Sequence, residues 1–181
     1  IGFSGAPWTI AVYMVEGRGG TDCGKIKSWA LSAPEDFQKL IDLLVAAISS
    51  YLIEQVKNGA EAIQLFDTWS GILDKDQFNK WVLAPTKKIV STVKKSCPGI
   101  PILGFPKGCG DMYEDYVTET EVDGVSLDSS ISLSWARDVL QKNCVLQGNL
   151  DNKLLVKGGA EMTHEVARIL ESLSKGPFIF N

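Results

Sequence analysis

Short apolar segments alternate with longer segments of helical periodicity along this 181-residue chain, and this alternation constrains the fold more than any other feature. Strands that alternate with helices form parallel sheets with helical crossovers. The strand-like segments are nearly continuous apolar runs, which predicts a sheet covered on both faces. We predict strands at 1–7, 61–67, 100–106, 122–128 and 144–150, and a sixth at "FIF" from Phe178. We predict helices at 37–56, 75–96, 113–121, 134–141 and 160–174.

Two architectures share this alternation, a doubly wound sheet and a (β/α)8 barrel. The stretch "GRGG" at 17–20 does not directly follow a strand and lacks the spacing of a dinucleotide-binding loop. Six strand–helix units in 181 residues fall short of a typical barrel of about 250 residues. The pattern alone therefore leaves both architectures open.

Several residues are typical of helix boundaries. Ser32 and Glu35 have the spacing of a capping box, with Pro34 in the first turn of the helix that follows. Gly59 stands where a C-terminal cap belongs. Pro85 predicts a break or a kink within the second helical segment.

The charge and composition exclude several kinds of partner. A net charge of -4 gives no basic footprint for nucleic acid or an acidic membrane. No apolar run approaches the roughly 20 residues of a membrane-spanning helix. The four cysteines are widely spaced without a C-x-x-C pair, which favours free thiols in a reducing cytoplasm.

The carboxyl ends of the predicted strands are the places to look for chemistry, since barrel enzymes carry their active sites there. These ends read "SGAPWT", "FDTWSG", "PKGCG", "LDSS" and "GNLD". Asp67 and Thr68 fit either a site or a helix cap or loop hydrogen bond. Asp128 and Asp151 have the same two interpretations. Tyr13, among apolar residues, fits a core position as well as a site.

Histidine chemistry has no candidate in this segment. His164, the single histidine, lies on the polar side of the last predicted helix, so we expect a surface residue. A His-based triad or a His-rich metal site is therefore not predicted. Cys109 is a lone thiol, which makes a poor metal site.

Four motifs in this order resemble the uroporphyrinogen decarboxylase family: "GFSGAPWTIAVYMVEG", "GAEAIQLFDTWSG", "FPKG" and "QGNLD". The resemblance runs from Ile1 to Asn181 and covers roughly half of a family chain. It implies a single (β/α)8 barrel domain over 1–181, incomplete, with about six βα units present. The part before "GFSGAPWT" and the later "LGHG" segment of the family are missing.

The resemblance also implies an activity. The family removes the carboxyl groups of the four acetate side chains of uroporphyrinogen III, giving coproporphyrinogen III in haem biosynthesis, and it uses no metal and no organic cofactor. A protonated pyrrole ring accepts the electrons that decarboxylation leaves, and a nearby carboxylate stabilises that cation. A cytoplasmic homodimer is implied for the parent protein.

Three positions match substrate-binding residues of the family. Tyr13 matches the tyrosine of "YMVEG", Thr68 the hydroxyl position after "QLFD", and Phe66 an apolar wall against the tetrapyrrole. The catalytic aspartate and the arginines are expected before Ile1 and the histidine after Asn181, so no catalytic residue is assigned within this segment. Ser129 departs from the family, since many relatives have Trp there; the roles of Cys109 and Asp128 stay open.

Two alternatives remain. Zinc-dependent methyltransferases of the same barrel superfamily, which act on corrinoids or thiols, need a His-x-Cys near "KGCG", and Lys107 stands where that histidine would be. The second alternative is an inactive fragment, because a barrel without its flanking strands cannot close and open edges pair with other chains. We expect this chain alone to lack decarboxylase activity.

Overall fold

The strands lie side by side in the order in which they occur in the chain. A computed structural model describes residues 1–19 and 22–181, and its sheet there has six strands, every neighbouring pair parallel. The strands are β1 (Gly2–Gly5), β2 (Ile63–Asp67), β3 (Ile102–Pro106), β4 (Gly124–Ser126), β5 (Val145–Gln147) and β6 (Phe178–Ile179). A doubly wound sheet reverses its strand order at a switch point, so this sequential order excludes it. The winding is that of a (β/α)8 barrel, as the resemblance implied.

Helices lie between consecutive strands. They are α1 (Pro7–Glu16), α2 (Gly24–Ser32), α3 (Pro34–Lys57), α4 (Lys75–Phe78), α5 (Ala84–Ser96), α6 (Tyr113–Thr120), α7 (Leu133–Trp135), α8 (Asn152–Lys157) and α9 (Gly159–Leu173). The periodicity predicted α3, α6, α9 and the segments that contain α4, α5 and α7. It did not predict α1, α2 or α8.

The capping box predicted for α3 is wrong. Ser32 is the last residue of α2, and Ala33 is the N-cap of α3 with no side-chain hydrogen bond. Ser32 belongs to the preceding helix, so its hydroxyl does not cap the next one. Pro34 does begin α3, and Gly59, with φ of +100°, follows its C-cap, Asn58, as expected of a glycine at a helix end.

Pro85 neither breaks nor ends its helix. A single π-helical turn, Asn79–Leu83, joins α4 to α5 without interruption, and Pro85 occupies the first turn of α5. Proline lacks an amide hydrogen, and the wide turn before it accommodates the missing bond. A second π-helical turn, Ala136–Leu140, continues α7.

The two faces of the sheet differ. The outer face is apolar and packed against the helices, and its fully buried residues include Ile63, Leu65, Ile102, Val125 and Leu146. Residues on the other face alternate with these, and they include Phe3, 60% exposed, and Phe66, 36% exposed. The prediction of a sheet covered on both faces therefore holds only in part for this inner face in the described ranges, where Phe3 is exposed while Gln64 is buried.

Polar side chains join three strands across the inner face. The side-chain amide of Gln64 donates to the Ser126 hydroxyl at 2.6 Å, and that hydroxyl donates to the side-chain oxygen Oε1 of Gln147 at 2.8 Å. Gln64 and Ser126 are buried, and their hydrogen bonds offset the cost of removing polar groups from water. These bonds hold β2, β4 and β5 in register.

Among the helices of residues 1–19 and 22–181, none is both long and apolar enough to cross a bilayer. His164 is exposed on α9, as predicted. Cys97, Cys109 and Cys144 are free thiols.

Candidate functional site

A cavity of about 540 Å³ opens on the inner face at the carboxyl ends of the strands. Its lining includes Phe3, Gln64, Phe66, Phe105, Lys107, Ser126, Asp128, Ser129, Gln147, Asn149 and Asn152. A larger groove of about 910 Å³ lies between α3 and α5, on the outside of the helical layer. We assign the site to the smaller cavity, because barrel proteins bind ligands at the strand ends.

Three phenylalanine rings form one wall of the cavity. Phe66 packs edge-on against Phe3 with ring centroids 6.1 Å apart, and edge-on against Phe105 at 6.3 Å. The three residues come from β1, β2 and β3, and strand pairing places Phe66 opposite Phe105. Phe66 thus lies in an apolar wall of the cavity that a flat ring can contact.

Asp128 follows β4 and lies at the edge of the cavity with several hydrogen-bond donors around it. Its carboxylate accepts from the Gly108 amide at 2.9 Å, from the Tyr113 hydroxyl at 3.3 Å, and from both the amide and the hydroxyl of Ser130. Burial alone would raise the pKa of Asp128, but these donors together outweigh burial and lower the pKa. The side chain is therefore an ionised anchor for the surrounding loops.

Lys107 brings a positive charge to the cavity on a firmly held backbone. Its amide donates to the Asp67 carbonyl at 3.1 Å, and its own carbonyl accepts from the Gly71 amide at 3.1 Å and the Ser70 hydroxyl at 3.2 Å. These bonds tie the loop after β3 to the loop after β2. In the sequence, Lys107 stands where the zinc-dependent methyltransferases need a histidine. Its position directly after β3 is the signal that marks it as a candidate site residue.

Tyr13 and Thr68 both lie outside this cavity. Tyr13 is on α1, 45% exposed, and its ring packs edge-on against Trp69 with centroids 6.4 Å apart. Thr68 precedes Trp69 in the chain and is half-buried. In the described part of the chain neither residue lines the 540 Å³ cavity. Of the three predicted substrate-binding residues, the structure places Phe66 in the cavity and the other two beside Trp69.

Asp67 is buried behind the sheet, next to the first turn of α1. The Thr9 hydroxyl donates to its Oδ1 at 2.6 Å. Burial raises the pKa of Asp67 to about 7, although the hydrogen bond from Thr9 opposes that rise. The sequence could not reveal this contact, because the two residues are 58 positions apart.

The other carboxylate and thiol candidates are structural. Asp151 caps α8 by accepting from the Lys153 amide at 2.7 Å, which agrees with the capping interpretation. Ser129 donates to Asp151 at 3.3 Å. Cys109 is buried, and burial raises the pKa of its thiol. Within residues 1–19 and 22–181, no three His, Cys, Asp or Glu side chains group so as to hold a metal, so the zinc alternative gains no support.

The fold and the cavity together define a class: an α/β barrel protein with a cavity at the carboxyl ends of its parallel strands. Comparison with known proteins narrows the class. The model of the family described as "Uroporphyrinogen decarboxylase (URO-D)" matches residues 1–181. This chain belongs to that family, as its motifs indicated.

Curated relatives support the assignment over the whole chain. It is 50% identical over 181 residues to uroporphyrinogen decarboxylase of Rhodospirillum rubrum and covers 52% of that protein. It is 45% and 44% identical to the proteins of the same name from Chelativorans sp. and Jannaschia sp., covering 53% of each. The chain thus spans about half the length of the curated relatives it matches.

Proposed function

We propose that the protein containing this sequence is a uroporphyrinogen decarboxylase, a carboxy-lyase that converts uroporphyrinogen III to coproporphyrinogen III. The observation that carries the proposal is the phenylalanine-walled cavity at the strand ends of a chain that belongs to this family. A tetrapyrrole needs an apolar surface for its rings and polar groups for its acidic side chains, and the cavity edge offers both.

The residues divide this task between them. Phe66 and its two aromatic neighbours contact the pyrrole rings. Lys107 supplies a positive charge for the substrate carboxylates, which the net charge of -4 would otherwise repel. The hydroxyls of Tyr13 and Thr68 donate hydrogen bonds to carboxylates, which fixes the orientation of each acetate group.

Electron flow in the reaction needs no group beyond the substrate and protein acids. When the carbon–carboxylate bond breaks, its electron pair moves into a protonated pyrrole and carbon dioxide leaves. The side-chain carbon then accepts a proton, and the ring releases the proton that it had taken up, so the reaction consumes one proton overall. A carboxylate near the cationic pyrrole stabilises the transition state and lowers the activation free energy of this step. We assign that carboxylate, the arginines and the histidine to the remainder of the barrel.

The proposal has consequences for the whole protein. We infer a homodimer in the cytoplasm that acts on a free tetrapyrrole and binds neither nucleic acid nor membrane. Residues 1–181 alone should not turn over substrate, since they span about half the length of the relatives. Turnover by the isolated segment would contradict this part of the proposal.

The test uses the full natural polypeptide that contains residues 1–181. It is incubated with uroporphyrinogen III without oxygen, and the products are oxidised and separated by carboxyl number. We expect coproporphyrinogen as the end product, and a loss of roughly tenfold or more in kcat/KM for Tyr13→Phe and for Thr68→Val, about the worth of one hydrogen bond to a charged group.

Matched controls are available on the helical outside. Tyr51, 58% exposed on α3, and Thr92, exposed on α5, give the same chemical changes away from the strand ends. Tyr51→Phe and Thr92→Val should keep the wild-type kcat/KM. Failure of the wild-type protein to form coproporphyrinogen would overturn the proposed function; equal losses in site and control variants would overturn the residue assignments.

A further inference from the structure

A set of three hydrogen bonds, one buried and two part-buried, joins α1 to the exit of β2, and we call it the Thr9 joint. The Thr9 hydroxyl donates to Asp67 Oδ1 at 2.6 Å and accepts from the Trp69 amide at 3.2 Å. The indole of Trp8 donates to the Trp69 carbonyl at 3.0 Å. Two consecutive residues of α1 therefore hold both the amide and the carbonyl of Trp69.

Three of the four residues of the joint are buried, and Trp69 is half-buried. Trp8, Thr9 and Asp67 are all at least nine-tenths buried. Within the described ranges Asp67 Oδ2 has no hydrogen-bond partner, while Oδ1 accepts the 2.6 Å bond from the Thr9 hydroxyl. Removal of the Thr9 hydroxyl would take the 2.6 Å donor from the buried Asp67 Oδ1 and the acceptor from the part-buried Trp69 amide, and the loop would move to recover partners.

The joint connects the two segments, α1 and the exit of β2, that carry the hydroxyl groups assigned to the substrate. Tyr13 is four residues after Thr9 on α1, hence on the same side of that helix. Thr68 stands between Asp67 and Trp69, the two residues that Thr9 holds. The ring contact between Tyr13 and Trp69 is a further link between α1 and the exit of β2.

We propose that Thr9 is a positioning residue, which sets the Tyr13 and Thr68 hydroxyls at a fixed separation so that one substrate molecule engages both. This role rests on the proposed function. It assigns to the "APWT" stretch a part in substrate binding although Thr9 itself does not contact substrate.

The test compares three threonine variants in the full natural polypeptide. Thr9→Val keeps the shape of the side chain and removes both hydrogen bonds. Thr9→Ser restores the hydroxyl. Thr120→Val is the matched control, because Thr120 is also buried but its hydroxyl bonds at 2.6 Å to the Tyr116 carbonyl within the same helix.

Two measurements separate positioning from simple destabilisation. A variant that only folds less well has fewer active molecules, which lowers apparent kcat and leaves KM unchanged. For Thr9→Val we expect KM to rise roughly tenfold, the equivalent of about one lost hydrogen bond, with Thr9→Ser within about twofold of wild type and Thr120→Val unchanged in KM. Hydrogen exchange of the Trp69 amide, read by NMR, should be accelerated in Thr9→Val alone.

Each outcome decides the matter. Faster exchange at Trp69 together with a raised KM supports the positioning role. Faster exchange with an unchanged KM shows that the joint exists and positions nothing, and unchanged exchange overturns the joint itself. If the wild-type protein does not decarboxylate uroporphyrinogen, the proposed function and the positioning role both fall, while the exchange data still report on the joint.

Discussion

Gly71 and Gly108 face each other where the loops after β2 and β3 meet, and they make a paired test of this structure. A Cβ atom added at Gly71 would lie 2.4 Å from the carbonyl oxygen and 2.8 Å from the Cα of Gly108. Both atoms are backbone and cannot turn aside, so the loops would have to separate by roughly 1 Å to reach ordinary contact. We expect Gly71→Ala to lower the free energy of unfolding by roughly 3 kcal/mol, the upper part of the usual range for overpacking.

The substitution of the facing glycine, Gly108→Ala, destabilises the protein for a different reason. A Cβ at Gly108 would lie 3.7 Å from the Gly71 Cα, an ordinary contact, but Gly108 has φ of +76°. The only cost of Gly108→Ala is therefore that of holding alanine in the left-handed conformation, which lowers the free energy of unfolding by about 1 to 2 kcal/mol. It leaves the loops in place, whereas Gly71→Ala strains the bond from the Gly71 amide to the Lys107 carbonyl.

Urea unfolding of the full natural polypeptide measures both costs, and steady-state kinetics measures their effect on the cavity. We expect Gly71→Ala to be the less stable variant and to raise KM several-fold, because Lys107 moves, while Gly108→Ala keeps KM within about twofold of wild type. If Gly71→Ala is as stable as Gly108→Ala, the two loops do not meet as described and the reasoning is refuted.

Three further predictions follow from the charged and thiol side chains. Because burial raises the pKa of Asp67 from 3.8 to about 7, the folded protein holds a proton that the unfolded chain releases, so stability should fall by up to roughly 4 kcal/mol as pH rises from 4 to 7. Asp67→Asn should remove the share of this pH-dependent loss of stability that comes from Asp67. If the free energy of unfolding depends on pH in the same way in Asp67→Asn as in the wild type, the burial of this carboxyl group is contradicted. Lys107→Met should raise KM roughly tenfold and weaken its dependence on salt, whereas Lys95→Met, exposed on α5, should do neither. Iodoacetamide should alkylate Cys97 at least roughly tenfold faster than the buried Cys109, as read by peptide mass; equal rates would contradict that burial.

Local sequence signals predicted the strands well and the first helices poorly. The apolar runs of β2 and β3 end at Asp67 and Pro106 in the structure, as predicted. The stretch after Pro7 was not assigned, because "PWTIAVYMVE" is too apolar to show a clear helical face. Pro7, at the start of α1, was the available signal, since proline favours the first helical turn.

The site was predictable only in part, for a physical reason. The strand-end rule and the motifs singled out Phe66, which lines the cavity; its role against a substrate stays a prediction. They could not place Asp67 behind the sheet, because a carboxyl after a strand can turn either toward solvent or toward the helical layer. That choice depends on Thr9, a partner that no local pattern identifies.

The strand exits are linked to one another, and this linkage decides how the site will respond to change. Thr9 bonds to Asp67 across β1 and β2, the Lys107 amide bonds to the Asp67 carbonyl across β2 and β3, and the next amide bonds to the Asp128 carboxylate after β4. Asn149, after β5, donates to the Asp128 carbonyl at 3.0 Å. Each loop is held by its neighbours, so substitutions at adjacent exits share partners and their effects on KM should not add. A double variant of Thr9→Val with Gly71→Ala should therefore raise KM by a factor different from the product of the two single effects, and strict additivity would show that the exits act independently.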